Sequence, residues 1–248
     1  MPRTLRQSMA GGVGTLLPAA PRREKRGMVP PLLASTSRLD QIRKVGCHLL
    51  FHFGYSGMTM REIASTLDIK AASLYHHFPS KQVILFELMQ GTISELLRGL
   101  QEISESGQEP EQQLDAAVRW HVLFHTHKKE EAFISHSELR SLEEKNLRVI
   151  LKLRREYERL FDSILKRGRR KGVFQVKNTS VVRNCILTMC TATAGWFSPE
   201  GPLPAEAVAD EIGAFVRSAL LTAETAPAAK PDPLVAADYP RSPTKEVL

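Results

Sequence analysis

Apolar residues recur at three- and four-residue steps through most of this 248-residue chain, and strand-like alternation is almost absent. An α-helix places residues at this spacing on one face, so such a chain buries its apolar side chains by packing helices together. One stripe stops at Gly54 and consists of Leu39, Ile42, Val45, Leu49, Leu50 and Phe53. The sequence therefore predicts an all-α protein.

The same periodicity, with Gly, Pro and Ser marking the breaks, predicts nine helices. Their expected ranges are about 39–53, 60–67, 71–77, 80–105, 110–127, 129–140, 143–170, 179–197 and 204–222. Gly172 is a plausible stop for the long seventh helix. The segments before and after this block are rich in Pro, Ala and Ser and predict disorder.

Composition narrows the class of protein. Hydrophobic residues make up 42% and charged residues 25%, as in an ordinary globular protein, and the three cysteines are too few for a disulfide framework. There is no apolar run of about 18 residues, so we expect no membrane span and a cytoplasmic location.

Positive charge is concentrated near the N-terminus. The net charge is +7, and residues 1–36 hold six Arg or Lys residues against one Glu. Residues 37–90 hold six against four acidic residues. This bias suits a polyanionic partner, although a solubilising tail would give the same pattern.

The segment from Thr59 to Lys81 has the pattern of two short helices joined by a tight turn. Thr59 and Glu62 form the Thr-x-x-Glu capping box that starts a helix, and the turn falls at 68–70. Leu74 and Phe78 predict the packed face of the second helix. Together these features predict a helix-turn-helix, whose second helix enters the DNA major groove.

The other face of that second helix carries small and polar residues that can approach DNA. They are Lys70, Ala71, Ala72, Ser73, Tyr75, His76 and His77, and Lys81 opens the next helix. Small residues allow close approach, and hydroxyl, imidazole and ammonium groups donate to phosphates. A half-buried surface cluster would give a similar composition, but the capping box, the turn and the basic N-terminus favour DNA binding.

These motifs resemble the DNA-binding domain of the TetR family of bacterial repressors over about residues 38–90. The matching residues are Gly54-Tyr55, Thr59, Ile63-Ala64 and Leu74-Tyr75-His76-His77-Phe78-Pro79-Ser80-Lys81. The resemblance implies that Thr59, Tyr75, His77 and Lys81 hold phosphates. It also implies that Arg61, Lys70, Ala71 and Ser73 face bases or the adjacent backbone. The turn departs from the family pattern at Asp68, where Gly is usual, but Asp tolerates a left-handed conformation.

Helix 110–127 carries two histidines that continue an apolar stripe. Leu114, Val118, His121 and His125 fall on one face, so both imidazoles are expected inside the bundle as polar lining of a ligand pocket. The spacing of His121 and His125 also suits a metal clamp. A metal-dependent helical-bundle enzyme or metal sensor is therefore the alternative function, although no nucleophile or base motif accompanies the pair.

Helix 143–170 and the segment that follows it add further candidate ligand residues. Arg154, Tyr157 and Phe161 lie on the long helix, and Trp196 closes the next one. These segments resemble a TetR branch that controls fatty-acid or steroid catabolism and is released from DNA by acyl-CoA esters. That resemblance implies a small effector of the acyl-CoA thioester class and no resident cofactor.

The family resemblance also implies that the last two helices form a four-helix bundle with a second subunit. A homodimer would place two recognition helices about 34–36 Å apart on double-stranded DNA, one helical turn. We therefore expect four parts: a disordered basic arm (1–36), a helix-turn-helix domain (37–90), a ligand-binding and dimerisation domain (91–222) and a disordered tail (223–248). The predicted function is a ligand-responsive repressor that binds a near-palindromic operator, with an interaction adaptor as a further rival.

Overall fold

The computed structural model describes residues 37–221, so the predicted arm (1–36), the predicted tail (223–248) and residue 222 lie outside it. Within the described residues the chain forms nine α-helices, one 3₁₀ turn at Leu139–Ser141 and no β-strand. The helices are α1 (Arg38–Gly57), α2 (Met60–Thr66), α3 (Ala71–His77), α4 (Lys81–Glu105), α5 (Pro110–His127), α6 (Lys129–Ser137), α7 (Glu144–Arg170), α8 (Thr179–Trp196) and α9 (Ala205–Leu220). The all-α prediction is confirmed.

Three local expectations differ from the structure. The predicted helix 129–140 ends early, because α6 stops at Ser137 and the chain tightens into the 3₁₀ turn. The predicted helix 80–105 begins at Lys81, with Ser80 as its N-cap, and the Ser80 side chain makes no capping hydrogen bond. Leu39 is 38% exposed instead of buried, because it lies in the first turn of α1, beyond the packed part of that helix.

Gly54 breaks the regular geometry of α1. Its φ of 67° is strained for a residue with a Cβ, and the helix kinks there before closing at Met58. The amide of Met58 donates to the carbonyl of Gly54 (3.1 Å), and the Met58 side chain is fully buried. This kink turns the chain from α1 into the start of α2.

Helix α5 is the centre of the second helical layer, which comprises the helices that follow α4. It packs against α4, α7, α8 and α9, and its apolar residues Leu114 and Val118 are fully buried. The long helix α4 runs without interruption across the predicted domain boundary at residue 90, so the two domains share one rigid element. At the end of α7, Gly172 has a φ of +76° and stops the helix as predicted.

A helix that spans a bilayer needs about 20 consecutive, predominantly apolar residues. None of the helices between residues 37 and 221 is long and apolar enough to cross a membrane.

Candidate nucleic-acid interface and effector site

Helices α2 and α3 form the predicted helix-turn-helix. The capping box is complete, because the Glu62 amide donates to Thr59 Oγ1 (3.2 Å) and the Thr59 amide donates to Glu62 Oε2 (3.0 Å). Asp68 makes the turn at a φ of 51°. It is the only residue other than glycine with a positive φ between residues 37 and 221. The backbone of Asp68 therefore adopts the left-handed conformation that glycine usually adopts in such a turn.

The two faces of α3 differ sharply in exposure. Leu74 is fully buried, and Phe78, just after the helix, is 1% exposed. On the opposite face Tyr75 is 49% exposed, although a buried position would suit its ring better. The other predicted DNA contacts that are exposed are Thr59, Arg61, Lys70, Ser73, His76 and His77, and Ala71 is half-buried. The His76 and His77 rings lie 5.4 Å apart in an edge-on arrangement.

Lys81 is directed differently from the other predicted contacts. Its ammonium donates to the carbonyls of Tyr55 (2.8 Å) and Met58 (3.2 Å) and lies 4.3 Å from the centre of the Tyr55 ring. The charge therefore binds the carbonyls exposed where α1 ends, which is a stabilising position for a cation. The predicted phosphate contact would have to use the remaining donor of this ammonium group.

One side chain, Gln82, joins the helix-turn-helix region to the start of α7. Gln82 donates to the Ser141 carbonyl and accepts from the Glu143 amide (3.2 Å). Within the helix-turn-helix region, Arg43 of α1 pairs with Glu87 of α4 at 3.1 Å. Helix α4 is therefore bonded both to α1 and to the residues that lead into α7.

A buried polar cluster lies between α5, α7 and α8. His121 Nδ1 lies 2.9 Å from the Tyr157 hydroxyl, and its Nε2 lies 3.0 Å from Thr191 Oγ1. His125 lies one turn along α5 with its ring stacked on that of His121, centroids 4.2 Å apart. The Nδ1 of His125 lies 2.8 Å from the His121 carbonyl, which can only accept, so His125 carries its proton on Nδ1. Its Nε2 is then an acceptor.

Burial keeps these imidazoles neutral. Desolvation holds the pKa of His121 well below its ordinary value, and the neighbouring His125 adds to the effect. Desolvation also lowers the pKa of His125 to about 4. The pKa of His136 falls to about 3 through desolvation and then the charge of Arg154. His136 is nevertheless exposed, so it lies at the edge of the cluster and not within the packed core. The cluster is polar but uncharged at neutral pH.

The other predicted ligand residues are only partly gathered here. Phe161 is fully buried next to Tyr157, with ring centroids 6.5 Å apart. Arg154 is half-buried and donates to the Ser135 carbonyl, and desolvation lowers its pKa. Trp196 is 60% exposed, because it lies five residues after Thr191 and hence about 140° around α8. The structure does not bring Trp196 into the cluster.

Thr191 and Gln82 are two functional candidates that sequence reasoning missed. Thr191 lies 70 positions from His121, and nothing local in the sequence marks such a contact. Gln82 is an ordinary polar residue in the first turn of α4, and its role depends on the fold around residues 141–143. Two surface grooves along α4, with volumes of about 410 and 700 Å³, do not include the histidine cluster.

A helix-turn-helix with an exposed polar recognition face, joined by one continuous helix to a bundle with a buried polar cluster, defines a ligand-responsive DNA-binding regulator. The sequence matches the profile of bacterial regulatory proteins of the tetR family over residues 42–88. It matches that of the tetracyclin repressor-like C-terminal domain over residues 107–220. The chain belongs to the TetR family of transcriptional regulators.

Individual relatives agree with this assignment. The transcriptional repressor KstR2 of Mycolicibacterium smegmatis is 25% identical over 73% of this chain and 89% of its own length. The solved structure of the ketosteroid transcriptional regulator KstR2 of Mycobacterium tuberculosis has a TM-score of 0.72 at 23% identity, covering 77% of this chain and 98% of that one. AibR, solved with isovaleryl coenzyme A and operator DNA, has a TM-score of 0.67 at 24% identity, covering 72% and 97%.

The protein is therefore a TetR-type, ligand-responsive transcriptional repressor, and its relatives are regulators and not enzymes. The alternative of a metalloenzyme or metal sensor at His121 and His125 is not favoured. Both ring nitrogens of His121 are already within hydrogen-bond distance of hydroxyls.

Proposed function

We propose that this repressor binds a near-palindromic operator as a homodimer and is released by an acyl-CoA thioester. The observation that carries the DNA part is the division of α3 into a buried face at Leu74 and an exposed face at Tyr75, His76 and His77. A recognition helix needs this division, because one face anchors it and the other enters the groove. We infer that Thr59, Tyr75 and His77 contact phosphates and that Arg61, Lys70 and Ser73 face bases or the adjacent backbone.

The exposed apolar residues of α8 and α9 support a homodimer. Val181 and Trp196 on α8 are 56% and 60% exposed, and Phe215 on α9 is 64% exposed. Several large apolar side chains exposed on two adjacent helices are typical of a protein–protein interface. Two copies joined here would present two recognition helices to successive major grooves. Binding to DNA implies that the protein acts in the cytoplasm.

The effector class follows from the chemistry of the buried cluster and from a relative. Arg154 supplies a charge for a phosphate group, and the neutral histidines and Tyr157 supply donors and acceptors for an acyl carbonyl. AibR was solved with isovaleryl coenzyme A. We infer that Arg154, His121, His125, Tyr157 and Phe161 contact the effector, with Trp196 at the dimer surface instead.

Release requires that the effector favours one conformation over another. His121 and His125 are tightly buried, at 4% and 3% exposure, so an effector that enters here must separate α5 from α7. Movement of α7 then displaces α4 through the Gln82 contact and changes the spacing of the two recognition helices. The effect depends on differential affinity, because a ligand that binds both conformations equally shifts neither.

The test is a fluorescence-polarisation titration with DNA from the region upstream of the protein's own gene. Acyl-CoA esters, the matching free acids and coenzyme A alone are added to the complex. We expect tight, salt-dependent binding that one ester relieves and its free acid does not. Sequence-specific binding that no ester relieves would remove the effector class and keep the repressor.

Two variants make the effector test specific to the cluster. Arg154→Gln should weaken relief by the ester while leaving operator affinity unchanged, because Arg154 lies on α7 and its hydrogen bond goes to Ser135 of α6 and not to the helix-turn-helix. Arg155→Gln is the matched control, since Arg155 is the next residue and is exposed. Equal loss of ester response in both variants would contradict the assignment of Arg154.

A further inference from the structure

Helices α1 and α6 bring two imidazoles and a carboxylate together away from the cluster described above. His48 and His52 lie one turn apart on α1, with ring centroids 4.3 Å apart. Glu130, in the first turn of α6, places Oε1 at 3.7 Å from His48 Nδ1. One nitrogen or oxygen atom from each of the three residues lies within 4.8 Å of the other two.

This set of groups is unusual within the molecule. Among residues 37–221 it is the only group of three or more His, Cys, Asp or Glu side chains that converge closely enough to hold a metal ion. A simple ion pair across the α1–α6 contact would need a single imidazole beside Glu130. The second imidazole, one helical turn away on the same face, instead completes a two-histidine, one-carboxylate ligand set.

The surroundings of the three residues favour a bound cation. Phe51 packs edge-on against both His52 and Phe133, with centroids 5.1 Å apart in each case, so an apolar wall borders one side. A second carboxylate, Glu131, neighbours Glu130 in the first turn of α6. His48 and Glu130 remain 30% and 39% exposed, which leaves a path for an ion to enter.

We propose that His48, His52 and Glu130 bind one divalent transition-metal ion, with Zn²⁺ the best match to this donor set. Tetrahedral Zn²⁺ with bonds of about 2.0–2.1 Å requires ligand atoms roughly 3.4 Å apart. The present separations of up to 4.8 Å therefore need a closing movement of up to about 1.4 Å, within reach of side-chain rotation. A water molecule would occupy the fourth position.

The position of the site gives the ion a structural consequence. His48 and His52 belong to α1, which packs on the helix-turn-helix. Glu130 belongs to α6, which also carries His136, close to Arg154. A metal that joins α1 to α6 ties the DNA-binding region to the second layer. If the ion alters operator affinity, operator DNA must alter ion affinity by the same factor.

Zinc binding is measured on the tag-free, full-length chain after chelator treatment, with no DNA present. Calorimetry with ZnCl₂ gives the stoichiometry, and Co²⁺ absorption reports the coordination geometry. All eight histidines of the chain lie within residues 37–221, so each can be assigned by substitution. We expect one ion per chain and, at a free Zn²⁺ concentration of about 100 times Kd, a rise in Tm of about 5–10 °C.

Three variants localise the ion. His48→Asn, His52→Asn and Glu130→Gln should each weaken Zn²⁺ binding by at least about tenfold and remove the Co²⁺ spectrum of the wild type. His127→Asn is the matched control, because His127 is also an imidazole placed beside a glutamate of another helix, 4.0 Å from Glu206. We expect Zn²⁺ binding in this control to equal that of the wild type.

Failure to bind Zn²⁺, or equal binding in the wild type and the Glu130→Gln variant, would overturn the site. Glu130→Gln keeps the shape of a half-exposed side chain, so it gives an answer even if a histidine variant fails to fold. The result is independent of the proposed effector and operator, because the titration contains neither.

Discussion

Acid should destabilise this protein through His125, by an amount that its environment sets. Desolvation lowers the pKa of His125 to about 4 in the folded chain, compared with 6.5 in a solvated one. Between these values the unfolded chain binds a proton that the folded chain does not, so the free energy of unfolding falls as pH falls. The slope is at most about 1.4 kcal/mol per pH unit. Going from about pH 7.5 to about pH 5 should remove about 2 kcal/mol through this group.

The His125→Asn substitution isolates that contribution. The asparagine amide can donate to the His121 carbonyl in place of the imidazole Nδ1–H, but it does not titrate. The variant should therefore lose about 2 kcal/mol less than the wild type over the same pH interval. His121 and His136, whose pKa values are also lowered, contribute to both proteins and largely cancel in the comparison.

The assay is urea unfolding followed by circular dichroism at both pH values and a fixed protein concentration. His127→Asn, which removes an exposed imidazole from the end of the same helix, should show the wild-type pH difference. If His125→Asn and the wild type lose equal stability on acidification, the His125 ring is hydrated in solution. The assignment of a dry, uncharged cluster between α5 and α7 would then be wrong.

Three further substitutions test the helix-turn-helix. Tyr75→Phe should weaken binding to operator and random DNA alike but leave the slope of log K against log salt nearly unchanged, because the lost hydroxyl carries no charge, and a changed base preference would contradict the phosphate assignment. Thr59→Ala removes the capping box and should lower the free energy of unfolding by about 1 kcal/mol in a denaturant titration. Lys81→Met keeps the side-chain length but loses both carbonyl contacts, so urea unfolding should show a loss of roughly 1–3 kcal/mol. No loss of stability would leave Lys81 with a role at DNA alone.

Local patterns were enough to predict the helices and the helix-turn-helix. The Thr59 and Glu62 pair encodes a helix start within four residues, and the apolar spacing that buries Leu74 is equally local. Asp68 could be placed in the left-handed turn because few residue types tolerate it. The inward direction of His121 and His125 also followed from periodicity and is confirmed by their burial.

Contacts between distant segments could not be predicted. The hydrogen bonds of Lys81 to the end of α1 depend on the kink at Gly54, because the kink directs backbone carbonyls toward the start of α4. Trp196 is a large apolar residue in an apolar segment, which suggests burial, but its position around α8 directs the side chain outward. The His48 and His52 pair had the spacing of a clamp in the sequence, but Glu130 lies about 80 residues away and only the fold joins it to them.

Gln82 touches the backbone at residues 141 and 143 with opposite ends of a single amide, one end donating and the other accepting. Because one end donates and the other accepts, the two hydrogen bonds fix the position of α4 relative to the residues that lead into α7. They also mean that the connection has a required length. A chain with one or two residues inserted at 139–143 would keep the α2–α3 pair and the cluster of His121 and Tyr157 intact, but it would lose the Gln82 contact that joins α4 to the start of α7. Under the proposed function, such a chain would bind its operator and its effector independently.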